Sequence, residues 1–102
     1  MTKLLVIYRK PKDAAAFGAY YVATHIPLAK KIPGLQRYEV SQGAIAAPGG
    51  DTDAHLVATL QFASMADLQA GLGSAEGQAA AGDLANFADG GVELLVFEDA
   101  PV

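Results

Sequence analysis

Two short runs near the chain ends, residues 4–8 (LLVIY) and 92–97 (VELLVF), limit the possible folds most sharply. Each has the length and the β-branched or aromatic content of a strand, and each is largely apolar on both faces. A sheet with one wet side is built from strands that alternate between apolar and polar residues. These two do not alternate, so both faces of the sheet they enter need cover. The chain has 102 residues, 52% of them hydrophobic and 18% charged, and a domain this small has proportionally much surface to keep wet. Part of its apolar surface is therefore expected to lie against a second subunit.

Between these runs, residues 35–45 (LQRYEVSQGAI) alternate, with Tyr38, Val40 and Gln42 on one face and Arg37, Glu39 and Ser41 on the other. Residues 55–62 (HLVATLQF) alternate as well, with Leu56, Ala58, Leu60 and Phe62 forming the apolar face. The Gly-, Pro- and Asp-rich segment 46–53 reads as the loop joining these two strands. A first helical stretch starts at Asp13 as N-cap and ends at Pro33-Gly34. Its apolar face is expected to run through Phe17, Tyr20, Tyr21, Thr24 and Leu28, with Pro27 kinking or restarting the helix near His25 and Ile26. A second stretch starts at Ser64, with Asp67 three residues on as in a capping box, continues through Leu72 and restarts at Ser74 to run to Phe87. Gly77 and Gly82 weaken that last helix in isolation, and close approach to what lies beneath it, as a pocket wall, is the expected compensation.

The order strand, helix, strand, strand, helix, strand with short connections predicts one domain over residues 1–102. Its fold class is α+β: a ferredoxin-like βαββαβ arrangement with both helices on one face of a four-stranded antiparallel sheet. A symmetric homodimer packed sheet on sheet, closing a barrel, is the simplest cover for the other face.

The net charge of −4 removes the basic patch that nucleic-acid binding requires. The absence of cysteine excludes disulfides, thiolate catalysis and cysteine-based metal sites. The N-terminal apolar run is too short for a secretory signal, and no run approaches membrane-spanning length, so a soluble cytoplasmic protein without a membrane partner is expected. The histidines and carboxylates follow no metal-binding spacing and the glycines no nucleotide-binding pattern, so neither a metal nor any other cofactor is expected.

His25 is the candidate catalytic residue, because imidazole exchanges protons near neutral pH and because it sits between a tyrosine-bearing helix face and a proline. Its structural alternative is a hydrogen bond to a carbonyl freed by the proline break. Tyr20 and Tyr21 lie about 100° apart on a helix, so one phenol can reach a pocket while the rings serve the core. Asp83 and Asn86 share a face with Phe87, and Asp83 can orient His25 or bind a substrate if the helices lie side by side. A solvated carboxylate is the simpler reading of Asp83. Phe62 and Phe87 are candidate pocket walls. His55 is not expected to pair with His25, since its strand begins at the end of the sheet away from where the first helix finishes.

Tyr20-Tyr21, His25-Ile26-Pro27-Leu28, Pro33-Gly34-Leu35 with Tyr38, and Ser74-Ala75-Glu76-Gly77 with Asp83 and Phe87 together resemble the EthD family of the dimeric α+β barrel superfamily. The resemblance spans nearly the whole chain. It implies a homodimer and an association with ethyl tert-butyl ether degradation, while some fungal relatives decarboxylate aromatic polyketide acids. Other branches of the superfamily are cofactor-free monooxygenases, lactone isomerases, polyketide cyclases or haem-degrading enzymes, so the shared fold does not carry a reaction type. The functional expectation is a cofactor-independent lyase or isomerase in a degradative pathway, using His25 in proton transfer on a small apolar or aromatic molecule. The alternatives are a non-catalytic small-molecule carrier or accessory subunit and, behind both, a haem binder with His25 as axial ligand.

Overall fold

The computed structural model describes residues 1–102. The elements run β1 (Thr2–Arg9), α1 (Ala14–Tyr20), a π-helical turn (Tyr21–His25), α2 (Ile26–Ala29), β2 (Arg37–Val40), β3 (Ala54–Phe62), α3 (Met65–Gly73), α4 (Ala75–Phe87) and β4 (Val92–Glu98). The strands form one antiparallel sheet in the order β2-β3-β1-β4. This is the expected ferredoxin-like α+β fold.

The runs at the chain ends pair with each other in register, Val6 opposite Leu94 and Leu4 opposite Val96. Buried Thr2, Leu4, Val6 and Tyr8 alternate along β1 with half-buried neighbours. Together with Ala58, Leu60 and Phe62 of β3 they form the sheet side of the core, and Phe17, Tyr21, Leu68 and Phe87 press on them from the helices. Each fully buried large apolar side chain contributes roughly 1.5–3 kcal/mol. Along β4, by contrast, Leu94, Leu95, Val96 and Phe97 remain 46, 43, 45 and 40% exposed, on both faces of an edge strand.

The caps form where the sequence puts them. The Asp13 carboxylate accepts from Ala16 N and the Ser64 hydroxyl from Asp67 N. Ser74 accepts from Gly77 N and donates to the Gly71 carbonyl, which ties the end of α3 to the start of α4. The second strand is shorter than the alternating run suggests. Regular pairing stops at Val40, and the chain then turns through Gly43 at φ 74°, where a side chain would be strained.

The first helical stretch departs from its expected face in an instructive way. Pro27 has no N–H, and its ring crowds the carbonyl four residues back. Over Tyr21–His25 the backbone widens into a π turn, closed by Ile26 N–H to the Tyr21 carbonyl. A π turn takes in one extra residue, so every downstream position on the buried face moves on by one. The expected face through Thr24 and Leu28 becomes Phe17, Tyr21, His25 and Ala29, all buried, while Thr24 and Leu28 are only partly covered. His25 reaches the interior by this device.

Candidate active site

His25 is 5% exposed and Asp83 6%, and they meet across the interface between the first helical stretch and α4. His25 Nδ1 lies 3.0 Å from Asp83 Oδ2. The other carboxylate oxygen, Oδ1, accepts two hydrogen bonds, from Tyr20 Oη at 2.5 Å and from Asn86 Nδ2 at 3.0 Å. Burial alone would push the Asp83 carboxyl upward, but the hydrogen bonds from Tyr20, Asn86 and His25 outweigh it and hold the group below its ordinary range. An ionised carboxylate only accepts, so it fixes the imidazole proton on Nδ1 and leaves the Nε2 lone pair free. Nε2 faces the Tyr8 hydroxyl at 3.4 Å.

Aromatic rings hold the imidazole in place. It stacks on Tyr21 at 5.4 Å and packs against Phe87 at 4.8 Å, while the edge of Tyr8 closes a third side. Such contacts contribute roughly 0.5–1.5 kcal/mol each beyond the area they bury. The ring therefore has little rotational freedom about the axis joining Asp83 to Nε2.

His25 and Tyr8 both line a cavity between sheet and helices. The cavity is lined by apolar side chains from β1, β3, β4, α2, α3 and α4, and its polar side chains are His25, Tyr8 and Tyr38. Small residues of α4, Gly77, Ala80 and Ala81, form part of its lining and leave space that larger side chains would fill. The space open to a water-sized sphere is about 50 Å³, several times the roughly 10–15 Å³ that one water needs. The cavity lining reaches exposed Leu94 of β4 and exposed Ala81 of α4. A second, wider cleft adjoins the Asp83 cluster at Tyr20 and Asn86 and is lined also by Phe17 and Phe87 together with Lys12 and Asp89.

Behind the cavity, the hydroxyls of Tyr21 and Tyr38 are 2.5 Å apart. Burial raises Tyr8, Tyr21 and Tyr38 above the ordinary phenol range; in Tyr21 the bond to Tyr38 adds to it, whereas in Tyr38 the bond from Tyr21 opposes it. Tyr20 is raised as well, first by its bond to Asp83. Folded pKa values above the unfolded value of 10.0 mean that the native state holds its phenol protons longer. The stability this confers is complete below pH 10.0 and is lost as pH rises beyond it. In an alkaline titration, phenolate absorbance is expected to appear together with loss of the circular dichroism signal, in one step. A tyrosine of this cluster that ionises at its ordinary value while the fold stays intact would contradict this.

The family model described as the EthD domain matches residues 9–91. The chain belongs to the EthD family. It is 36% identical over 102 residues to an uncharacterized 11.0 kDa protein in the thcB-thcC intergenic region of Rhodococcus erythropolis, covering all of this chain and 98% of that one. The crystal structure of an EthD family protein from Bacillus halodurans C-125 superposes with a TM-score of 0.90 at 32% identity, covering 98% of this chain and 99% of that one. A dimeric ferredoxin-like protein of unknown function from Thermobifida fusca YX shares the fold alone, with a TM-score of 0.70 at 13% identity over 94% of this chain and 88% of that one.

In this EthD chain the candidate residues divide. His25 lines the cavity, and Asp83, more simply read as solvated, is buried as its partner. Tyr20 belongs to the outer cleft and clamps Asp83; Tyr21 stands one layer behind Tyr38. Phe87 supports the imidazole from the outer-cleft side, without lining the cavity. Phe62 is not a pocket wall: it is fully buried beside Gly34 and Gly71, where α3 closes on the Pro33-Gly34 turn. His55 packs edge-on against Phe17 at 5.0 Å, near the start of the first helical stretch. Tyr8 was legible in the sequence only as a strand residue, and Tyr38 as a strand residue and part of the family motif, neither as a site residue, yet both line the cavity. No group of three or more histidine, aspartate or glutamate side chains is placed to hold a metal ion, and no helix is long and apolar enough to cross a membrane.

Proposed function

We propose that this EthD protein is a cofactor-independent proton-transfer enzyme, a lyase or isomerase, acting on a small and largely apolar molecule. One observation carries the reading: a buried carboxylate pairs with Nδ1 of an imidazole that lines an apolar cavity, the arrangement in which a neutral ring keeps its Nε2 lone pair. In that setting the imidazole takes a proton from a bound molecule as general base, and the imidazolium that forms is paired with Asp83. The largely apolar lining offers few groups to hold water beside the imidazole. A degradative role on apolar compounds agrees with a lining that carries no cationic side chain.

The working form in this reading is a homodimer. The support is β4, an edge strand left 40–46% exposed at four successive large apolar residues, together with the dimeric description of the Thermobifida protein that shares the fold. A second copy seated there would also cover the mouth of the cavity beside Leu94. Sedimentation equilibrium should give twice the chain mass; a monomer at micromolar concentration would remove the dimer from this proposal.

The chemical part is tested with the wild-type protein in D2O, incubated with small apolar ketones such as cyclohexanone and with simple hydroxyarenes. Catalysed gain of deuterium at carbon, followed by NMR, is the expected result. Ligands that bind, as detected by saturation transfer, yet gain no deuterium above the buffer rate would replace the enzyme with a carrier.

A further inference from the structure

Tyr8 and Tyr38 are the two phenols that line the cavity, and they come from different strands, β1 and β2. Tyr21 does not line it, is 2% exposed, and has the Tyr38 hydroxyl as its hydrogen-bond partner. Each hydroxyl has a single proton to give. Either hydroxyl can donate in this bond; in the arrangement with Tyr21 as donor to the Tyr38 oxygen, the Tyr38 proton is left for the cavity. The Tyr8 hydroxyl faces His25 Nε2 at 3.4 Å, longer than the roughly 2.7–2.8 Å of a well-formed hydroxyl hydrogen bond, so it is loosely held and available to a closer acceptor. Two O–H donors and one nitrogen lone pair thus converge on the polar corner of a cavity that has no lysine or arginine in its lining.

We infer that Tyr8 and Tyr38 form an oxygen-binding corner that takes the carbonyl oxygen of an uncharged, apolar ketone or aldehyde and holds the negative charge it acquires. The inference rests on the proton-transfer reading of His25 and names the substrate class for it. The step balances without any further reagent. The bond from carbon to hydrogen next to the carbonyl breaks, and the proton goes to Nε2. The electron pair forms the carbon–carbon double bond of an enolate, whose oxygen accepts from both phenols. Return of the proton to the same or another carbon completes exchange or isomerisation. Donors already aimed at the place where charge develops need no reorganisation during the reaction. The lack of a cation in the lining disfavours carboxylates and phosphates as ground-state ligands, because their charge would be buried unpaired.

Para-substituted phenols of rising acidity, from phenol through 4-chlorophenol to 4-nitrophenol, serve as enolate mimics, since passing their proton to Nε2 reproduces the oxyanion beside an imidazolium. Affinity measured by calorimetry is expected to rise along the series. It should fall about tenfold to hundredfold for 4-nitrophenol in Tyr8→Phe and in Tyr38→Phe, as for loss of a hydrogen bond to a charged oxygen. Both variants keep the ring, and circular dichroism verifies the fold. The absorbance shift of 4-nitrophenol on the wild-type protein, reporting its ionised form, is a second readout that needs no variant. Affinity that ignores acidity, absence of the shift, or wild-type binding by both variants would overturn the oxygen-binding corner. Loss of that corner with deuterium exchange still dependent on His25 leaves the proton-transfer reading standing, whereas exchange indifferent to His25→Ala removes that reading whatever the phenols do.

Discussion

His25→Ala is expected to lower catalysed deuterium exchange by about 10²–10⁴-fold, the range over which a positioned general base acts, while binding of an uncharged ketone is largely retained. His25 is the only basic side chain lining the cavity, whereas the apolar lining that binds the ligand is contributed by other residues. Because removing the imidazole also leaves Asp83 short of one partner, Asp83→Asn provides an independent test that keeps the shape of the site. Oδ1 of Asp83 receives two donors, Tyr20 Oη and Asn86 Nδ2. In the asparagine variant that position demands the amide oxygen, so the amide NH2 must turn toward His25 Nδ1. Nδ1 then becomes the acceptor and the ring proton moves to Nε2, which can no longer take a proton from a ligand. The expected result is loss of exchange comparable to His25→Ala, with ligand binding kept and the nitrogen shifts of the imidazole exchanged between the two ring positions. Wild-type exchange in both variants would end the proposed role of the pair.

Gly77→Ala is expected to be the most damaging single methyl addition in the chain. A Cβ at this position would meet the Gly71 carbonyl oxygen and lie 2.7 Å from the backbone of Leu72. These are main-chain atoms at the end of α3, and they cannot swing aside as a side chain can. Overpacking of this kind costs about 1–3 kcal/mol or more, and the Ser74 hydrogen bonds that join α3 to α4 would be strained with it. A fall in Tm of more than about 10 °C is the expected readout for a domain of this size. Gly82, on the same helix, is the control. Nothing lies within 4 Å of a Cβ there, so Gly82→Ala should gain about 0.5–1 kcal/mol from helix propensity and a less flexible unfolded chain. Equal effects of the two substitutions would show that helix propensity, and not contact with α3, decides both.

This pair also corrects what the composition of α4 suggests. Close approach explains Gly77, which touches α3 and lines the cavity, but not Gly82, which has open space before it. A glycine reads the same in the sequence whether its missing Cβ is needed or not. Only the neighbouring element distinguishes the two cases.

What the sequence by itself determined is whatever depends on local periodicity and local hydrogen bonds. Alternation and apolar runs identified four strands, the side chains of Asp13, Ser64 and Ser74 marked three helix starts, and the order of elements specified a ferredoxin-like sheet. His25 was legible as a chemical group, and Asp83 as a partner conditional on the helices lying side by side. The tertiary structure decided which face of the first helical stretch is inward. The π turn forced by Pro27 moves the buried stripe on by one residue and exchanges Thr24 for His25, a change invisible to a constant helical period. It also decided that Asp83 is buried, because its charge is acceptable there only when Tyr20, Asn86 and His25 arrive together from separate turns and helices. Finally, it brought Tyr8 and Tyr38 to one corner of a cavity, since pockets and charge networks arise from contacts between residues far apart in sequence, for which no periodicity exists.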